Sequence, residues 1–468
     1  MIDPRRAAGR PYETGLLLLA GLVGLAGFFL AAAGMAVAER IAAHPGGAPA
    51  GPIFTPTPGL VLPVLYVLLG AFAVHFVLLY RRARGEQLLL PIVTLLLLLS
   101  LVMIYRLRGL EAVWQQLLRG FTPGLLVCLL LAAQPRLVER LRRLAVPASL
   151  LGLALPFMTA LFGEVDETGV RLALKLGPLP SIQTSEIIKL ALVLFLAWYI
   201  ERQARQVEGR ARPLLGWLRL PPLGYFVPGA LFTALGALAL VAMSDYGAVI
   251  ILGFIFIAML YAGFEGRTFL TVAAIGAGLA LLAGMLIALT WQVPDLVRYR
   301  FIAYRDPWSS ETISVNGQPG ELTVSQGPGY QIQQAIYAVA AGGLGGAGLG
   351  LGSPYYVPLA HSDFIFAAIL EEMGSAVGMA LLALYGVLFL RLLRLAARLP
   401  AAQVFERLLL VGCVAHLFIQ VFYMVGGTLN LVPVTGITVP FLSLGGTALL
   451  VNLVETGLAL GLLQRVEG

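Results

Sequence analysis

The sequence has 468 residues, of which 59% are hydrophobic and only 12% are charged. A soluble domain carries about 25% charged residues, so these proportions exclude an ordinary soluble protein and indicate one embedded in a membrane. The net charge of +7 does not indicate nucleic-acid binding, because Lys and Arg gather in the cytoplasmic loops of membrane proteins and this topology accounts for the charge.

Long apolar segments follow one another along the chain. A transmembrane helix needs about 20 mostly apolar residues to cross a hydrocarbon core of roughly 30 Å. Arg5, Arg6 and Arg10 precede the first segment, which is too long for a signal peptide, so we expect a first span there. The sequence therefore predicts an all-α polytopic membrane protein with about twelve spans. The predicted spans are 15–38, 58–80, 87–105, 112–134, 144–163, 186–201, 222–243, 246–264, 268–290, 363–390, 405–427 and 445–464.

Basic residues determine the predicted orientation of these spans. When the N-terminus is placed in the cytoplasm and the spans alternate, most Lys and Arg residues fall in cytoplasmic segments. Cytoplasmic loops are enriched in these residues, which predicts that both termini are cytoplasmic. The segment 291–362, before the tenth span, is then a large extracytoplasmic loop. Helix connections usually have about 2–8 residues, so we expect this loop to be functional.

Ionisable residues at the membrane edge are costly and therefore indicate candidate sites. Glu186 and Lys189 are three residues apart, which places them on one face of the sixth span and predicts that they pair. They are consistent either with a polar site or with a structural ion pair. Asp245, in a short turn between the seventh and eighth spans, is consistent either with a site or with a helix cap.

Two more candidates belong to the long extracytoplasmic loop. Three arginines alternate with aromatic residues between Arg298 and Trp308, which suits either phosphate binding or an interfacial aromatic belt. Asp363 stands where the loop re-enters an apolar helix. Partial burial there suits a general base, but an Asp in a first helical turn is also favoured by the helix dipole. The residues alone leave both interpretations open.

The glycine-rich stretch 342–352 does not indicate a nucleotide site. No Gly-Lys-Ser/Thr follows it, and the predicted topology places it outside, where nucleotides are scarce. We expect close helix packing or a tightly turned re-entrant backbone instead. Cys128 and Cys413 lie inside apolar runs, so neither a disulfide framework nor a metal site is supported.

Several motifs occur in a fixed order from about residue 160 onwards, and together they resemble those of one family. The motifs are Gly169-Val170-Arg171 with Leu176-Gly177-Pro178, Gln183-Thr184-Ser185-Glu186 with Lys189, Asp245-Tyr246-Gly247, Arg300 with Asp306-Pro307-Trp308, Gly329-Tyr330-Gln331 with Gln334, His361-Ser362-Asp363-Phe364 with Glu371-Glu372, Pro433-Val434-Thr435-Gly436-Ile437, and Pro440-Phe441-Leu442-Ser443. The sequence resembles the SEDS family (FtsW, RodA and SpoVE), whose members polymerise a peptidoglycan precursor.

The sequence departs from the family pattern at three points. Thr184 stands where the family has Pro, and Leu359 stands where a Glu is often found, so a second carboxylate role is not carried onto that position. Five predicted spans precede Glu186 where three are usual. We therefore expect an N-terminal helical region, 1–143, that includes an extra helix pair, followed by a SEDS-like catalytic core, 144–468.

The resemblance implies an inverting peptidoglycan glycosyltransferase in the cytoplasmic (inner) membrane, which polymerises lipid II for elongation or division. Asp363 would be its catalytic carboxylate. No cofactor is evident, although a bound divalent cation would be compatible with the anionic leaving group. The implied partners are lipid II, an undecaprenyl-pyrophosphate-linked disaccharide peptide, and a class B penicillin-binding protein. The substrate-binding candidates are Arg171, Glu186, Lys189, Asp245, Arg300, His361 and Ser362.

Two other functions are alternatives to the enzyme. A flippase or transporter for lipid-linked precursors needs a path to both membrane faces and often shows internal repeats, whereas the polar motifs here cluster on one predicted face. A non-catalytic division scaffold gains nothing from charged residues at costly membrane-edge positions. The resemblance therefore favours the enzyme over both.

Overall fold

The computed structural model of the protein describes residues 9–43, 58–83, 85–165, 171–175, 181–210, 212–213, 219–266, 268–273, 295–315, 318–463 and 465. These residues are mainly helical, as predicted, because a segment in lipid must satisfy its own backbone hydrogen bonds. In chain order the helices are α1 (Pro11–Ala43), α2 (Leu62–Tyr80), α3 (Leu89–Gln116), α4 (Thr122–Ala133), α5 (Arg136–Phe162), α6 (Thr184–Arg210), α7 (Val227–Ala242), α8 (Tyr246–Gly263), α9 (Asp295–Arg305), α10 (Pro328–Gly342), α11 (Ile365–Arg398), α12 (Val404–Thr428) and α13 (Gly446–Leu462).

The length and composition of these helices confirm a multi-pass membrane protein. Within the described residues, seven helical stretches are long and apolar enough to cross a membrane. Two shorter helices, α7 and α13, are also apolar. The seven stretches are Pro11–Ala43, Pro58–Tyr80, Leu89–Ala133, Arg136–Phe162, Tyr246–Gly263, Ile365–Arg398 and Val404–Thr428.

The third and fourth predicted spans are joined in an almost continuous helix from Leu89 to Ala133. Gly109 interrupts this helix with φ 78° and ψ −179°, a backbone conformation that favours glycine. A π-helical turn, Leu117–Phe121, then leads into α4. A single glycine therefore separates the two helical parts where the sequence analysis placed a short loop.

The predicted ninth span, 268–290, lies largely outside the described residues. The number of twelve spans and the cytoplasmic position of both termini therefore stay predictions.

The long segment 291–362 contains regular structure. Its described residues form α9, an antiparallel hairpin and α10. Short antiparallel strands also occur on either side of α6. The strands are β1 (Glu164–Val165), β2 (Arg171–Leu174), β3 (Ile182–Gln183), β4 (Arg212–Pro213), β5 (Arg219–Leu220), β6 (Thr312–Val315) and β7 (Gln318–Thr323). They pair as β1-β2-β3, β4-β5 and β6-β7.

The chain divides into two compact units, each built from non-contiguous parts. The first comprises Met1–Pro135, Tyr330–Leu395 and Gln420–Gly468, and the second comprises Arg136–Gly329 and Ala396–Ile419. The predicted regions 1–143 and 144–468 were defined by how far the family resemblance extends. Neither region coincides with one of the two packing units.

Small residues bring helices close together within each unit. In the first unit, a Cβ added to Gly457 of α13 would lie 2.7 Å from Cα of Cys128 in α4. In the second unit, a Cβ added to Gly152 of α5 would lie 2.5 Å from Cβ of Ala191 in α6. Close backbone approach is how membrane helices gain packing energy without a hydrophobic driving force.

Candidate active site

Asp363 lies two residues before α11 and lines an open cleft. We call this space the Asp363 cleft. It combines a carboxylate with aromatic, apolar and hydroxyl-bearing side chains, and its residues belong to the first unit. The cleft is lined by Asp363, Phe364, Tyr423, Met424, Gly427, Thr428, Val434, Thr435, Gly436 and Ile437.

The loop between α12 and α13 forms one side of the Asp363 cleft. Gly436 in this loop has φ +74°, and a Cβ added to it would lie 3.3 Å from Oδ2 of Asp363. A glycine here thus allows both the left-handed turn and the close approach to the carboxylate.

His361 and Ser362, two of the predicted substrate-binding residues, are held by the same loop. The backbone N–H of Leu444 donates to the carbonyl of His361 at 2.9 Å. Ser443 Oγ donates to the carbonyl of Ser362 at 2.6 Å and accepts from the N–H of Val439 at 2.8 Å. These bonds fix the backbone on the N-terminal side of Asp363.

His361 lies two residues before Asp363 in the sequence, and the protonated form of its imidazole is disfavoured. Burial lowers the pKa of His361 below its usual value of 6.5, and the charge of Arg108 lowers this pKa further. The ring is therefore neutral near pH 7, and it suits hydrogen bonding better than charge pairing.

Two residues of α3 hold the loop between α12 and α13 by hydrogen bonds, and the sequence analysis predicted neither role. Gln116 donates through Nε2 to the carbonyl of Ser443 at 3.2 Å and accepts through Oε1 from the N–H of Gly445 at 3.0 Å. Ser100 Oγ donates to the carbonyl of Leu442 at 2.6 Å. The available signal was the hydroxyl of Ser100, which lies in the otherwise apolar run 95–104.

A second group of predicted residues meets in the second unit. Lys189 Nζ lies 2.6 Å from Oε1 of Glu186, and both side chains are almost fully buried. The ion pair predicted from their i, i+3 spacing is therefore confirmed.

Asp245 joins this pair although it is distant in the sequence. Its Oδ1 accepts from the N–H of Ala248 at 3.0 Å, so it caps α8, and its carboxylate also hydrogen-bonds the Ser185 side chain. Burial raises the pKa of Asp245, while the Ala248 hydrogen bond and the charge of Lys189 act in the opposite direction. We call Ser185, Glu186, Lys189 and Asp245 the ionic cluster.

Arg171 and Arg300 occupy other positions in the second unit. Arg171 lies in β2 and donates through Nη1 to the carbonyls of Ala160 and Leu161, at 3.2 and 2.6 Å. Arg171 therefore donates to carbonyls at the C-terminal end of α5, which have no N–H partner within the helix. Arg300 lies in α9 and is partly exposed. Gly169, Val170 and Leu176 to Pro178, which carry part of the Arg171 motif, lie outside the described residues.

Metal ligands do not cluster in the part of the chain that the structure describes, where no group of three His, Cys, Asp or Glu residues comes together. A divalent cation thus stays a prediction from the resemblance.

A family model described as "Cell cycle protein", which covers FtsW, RodA and SpoVE, matches residues 86–467. The chain belongs to this family. The match begins well before residue 160, where the motif resemblance began, and it leaves α1 and α2 outside. These two helices lie in the region where the extra N-terminal pair is predicted, and that assignment stays a prediction.

Curated relatives agree with this assignment. Over 330 residues, the chain is 32% identical to a probable peptidoglycan glycosyltransferase FtsW of Alcanivorax borkumensis, covering 69% of this chain and 76% of that protein. Over 379 residues, it is 31% identical to the peptidoglycan glycosyltransferase RodA of Mycobacterium tuberculosis, covering 78% and 75%. It is also 32% identical to stage V sporulation protein E of Bacillus subtilis, covering 60% and 68%.

Solved structures confirm the fold. A chain of a peptidoglycan synthase complex, described for its coordination of polymerization and crosslinking, aligns with a TM-score of 0.64 and 27% identity, covering 81% of this chain and 97% of that one. The crystal structure of RodA from Thermus thermophilus aligns with a TM-score of 0.53 and 26% identity, covering 81% and 96%.

Proposed function

We propose that this protein is a peptidoglycan glycosyltransferase that polymerises lipid II, with Asp363 as its catalytic base. One observation carries the assignment. In a chain of the FtsW, RodA and SpoVE family, Asp363 is the carboxylate that lines the cleft between the residues preceding α11 and the loop that follows α12. Lipid II keeps its polyprenyl tail in the membrane, which suits an enzyme built of apolar helices.

In the proposed reaction, two lipid-linked disaccharides are joined by inversion. The Asp363 carboxylate accepts the proton of the acceptor's GlcNAc 4-hydroxyl, and that oxygen attacks the anomeric carbon of the donor's MurNAc. The bond between this carbon and the pyrophosphate oxygen breaks, and undecaprenyl pyrophosphate leaves with the electron pair. A carboxylate acts well as a base when it is positioned within hydrogen-bond reach of the proton that it removes.

The pyrophosphate leaving group is anionic, so nearby cations would stabilise the transition state. The resemblance assigns this task to Arg171, Lys189 and Arg300, but their surroundings differ. Lys189 is buried against Glu186, and Arg171 donates to two helix carbonyls. Arg171 and Arg300 are both partly exposed, so these two arginines are our first candidates for binding the pyrophosphate.

The proposed location and partner follow from the family. We place the reaction at the outer face of the cytoplasmic membrane, where a class B penicillin-binding protein would crosslink the new strand. The similarity to a chain of a peptidoglycan synthase complex supports a partner of this kind.

Polymerisation of purified lipid II tests the proposal. The wild type, Asp363→Ala and the control Glu311→Gln would be purified in detergent, with and without the penicillin-binding protein, and products resolved on a gel. Glu311 is a half-exposed carboxylate that pairs with Arg298 outside the Asp363 cleft. Polymer from the wild type and control, but not from a folded Asp363→Ala, is the expected result. No polymer from the wild type with its partner would contradict the enzyme, and a lipid II translocation assay would then test the flippase.

A further inference from the structure

Helix α1 packs closely against α3. A Cβ on Gly24 would lie 3.2 Å from the side chain of Leu98, and one on Gly27 would lie 2.9 Å from that of Val102, both in α3. These glycines let α1 approach α3 along its length. Helix α1 precedes the residues that the family model matches, so this packing joins it to a helix of the matched region.

Near its C-terminal end, α1 contacts a backbone instead of side chains. A Cβ on Gly34 would lie 2.2 Å from the carbonyl oxygen of Leu349 and 3.0 Å from Cα of Gly350. In turn, a Cβ on Gly350, which has φ +85°, would lie 2.6 Å from the carbonyl oxygen of Ala31 and 2.8 Å from the nitrogen of Met35. Two main chains therefore meet here, and a side chain on either glycine would push them apart.

The segment that α1 contacts is also bound to α11. The N–H of Gly350 donates to Oε2 of Glu372 at 3.1 Å, while Oε1 of Glu372 accepts from Arg106 Nε at 2.7 Å. The N–H of Ser353 donates to Oε1 of Glu371 at 2.6 Å. The glycine-rich segment is thus held between α1 on one side and two carboxylates of α11 on the other.

This segment leads directly to the catalytic carboxylate. After Ser353 the chain forms a 3-10 turn, Pro354–Tyr356, and Gln331 Nε2 then donates to the carbonyl of Pro358 at 3.1 Å. Asp363 follows before α11 begins. A displacement of Gly350 would therefore reach Asp363 through a short, hydrogen-bonded stretch of chain.

The opposite end of α1 is fixed by buried charges. Arg10 donates to the Glu13 carboxylate and to the carbonyls of Ala83 and Glu86, and its side chain is buried. Glu13 Oε1 lies 2.6 Å from Nδ1 of His75 in α2. Removing one partner from such a network leaves a buried charge uncompensated, so the network holds α1 in one position.

We propose that α1 positions the active site by clamping Gly350, which fixes the segment that carries Asp363. Gly34 is then a positioning residue for the reaction described above, and the proposal rests on that reaction. The effect is on turnover rather than on substrate binding, because α1 contacts the segment before Asp363 and not the Asp363 cleft itself. A misplacement of about 1 Å away from the chemistry lowers rates by up to about 100-fold.

Gly34→Ala tests this against two matched controls on the same helix. A Cβ at Gly15 meets no atom within 4 Å, and the three atoms nearest to one at Gly24 all belong to the Leu98 side chain. Initial polymerisation rates would be measured against lipid II concentration, together with melting temperature and hydrogen exchange of residues 347–353. We expect Gly34→Ala to lower kcat by roughly 10- to 100-fold at nearly unchanged KM, with faster exchange in this segment. Gly15→Ala should keep the wild-type values, and Gly24→Ala, which crowds the Leu98 side chain, should lower the melting temperature while leaving kcat and the exchange of residues 347–353 near the wild-type values.

Equal kcat in Gly34→Ala and in both controls would overturn the proposal. If Gly34→Ala does not fold, Glu13→Gln, which removes a charge from the network at the opposite end of α1, takes its place: faster exchange of the Gly350 amide than in the wild type supports the clamp, and unchanged exchange contradicts it. If the wild type forms no polymer, the proposed reaction fails. The exchange difference between the wild type and Gly34→Ala then still decides whether α1 holds the segment.

Discussion

The Asp363 cleft and the ionic cluster both contain carboxylates that sequence analysis singled out, yet their surroundings are opposite. Asp363 lines an open cleft whose other residues supply loop backbone, hydroxyl groups and aromatic or apolar side chains. In the ionic cluster, Glu186 and Lys189 are buried against each other, and Asp245 is bonded to Ser185 and to the start of α8.

This difference separates two tasks. A general base needs room for a substrate hydroxyl beside it, which the Asp363 cleft provides. A buried ion pair adds little net stability, but loss of one partner is costly because the other charge stays buried. We therefore expect substitutions in the cleft to change turnover and substitutions in the cluster to change folding. Each prediction below tests this separation, beginning with the largest effect.

Asp363→Asn should lower the polymerisation rate by about 10²- to 10⁴-fold, because the amide cannot accept the hydroxyl proton. Its melting temperature should stay close to that of the wild type, and Glu311→Gln should keep both properties. Rates from lipid II gels and melting curves in detergent give the answer. A large loss of stability in Asp363→Asn would remove the distinction between the two regions.

Lys189→Met should destabilise the protein by about 3–5 kcal/mol, since it leaves the Glu186 carboxylate buried without its cation. The matched control is Lys175→Met, because Lys175 pairs with Glu164 at 3.2 Å where both side chains are more than half exposed. That control should cost no more than about 1 kcal/mol. Denaturation curves measure both variants. If Lys189→Met had normal stability but no activity, the ionic cluster would take part in the reaction rather than in folding.

Gly436→Ala should lower stability by about 1–3 kcal/mol and reduce turnover, because alanine disfavours φ +74° and its Cβ would crowd Asp363. Gly445→Ala in the same loop is the control. Its backbone is extended, and its Cβ would make only ordinary contacts, the nearest at 3.6 Å. Melting temperature and initial rate should change for Gly436→Ala alone, and equal effects in both would contradict a local cause.

The smallest effect concerns pH and His361. Its folded-state pKa lies below the unfolded value, so its contribution to stability is present above about pH 6.5 and is lost as pH falls through the lowered pKa. The melting temperature of the wild type should therefore fall more steeply below pH 6.5 than that of His361→Asn. Ser362→Ala, which removes no titratable group, should follow the wild type. Parallel curves for the wild type and His361→Asn would show that burial of this ring is unimportant.

Local patterns predicted much of this molecule. Apolar windows identified most of the helices, because a helix in lipid is determined by its own run of residues. The i, i+3 spacing likewise predicted the Glu186–Lys189 pair, because both residues lie on one face of a single helix. The expectation of tight turns and close packing in 342–352 is confirmed by positive φ angles at Gly343, Gly346, Gly348 and Gly350 and by short backbone contacts.

Contacts between distant segments were not predictable in this way. Nothing near Asp245 indicates that it reaches Ser185, and nothing near Asp363 indicates that Gly436 borders it, since tertiary packing creates both contacts. Arg10 was interpreted through topology, and its buried network was missed. His75, an ionisable residue inside an apolar helix, was the signal that could have revealed it.

The packing of α4 against α13 sets an order for biosynthesis. These helices are separated by hundreds of residues, yet Gly124 and Gly457 bring them into close contact. At about 5–20 residues per second, a ribosome needs on the order of tens of seconds to reach α13 after α4 has entered the membrane. During this interval the surface of α4 is open to lipid or to an insertion factor, and the loop before α13 has not yet been synthesised. The Asp363 cleft is thus completed only when translation is nearly finished.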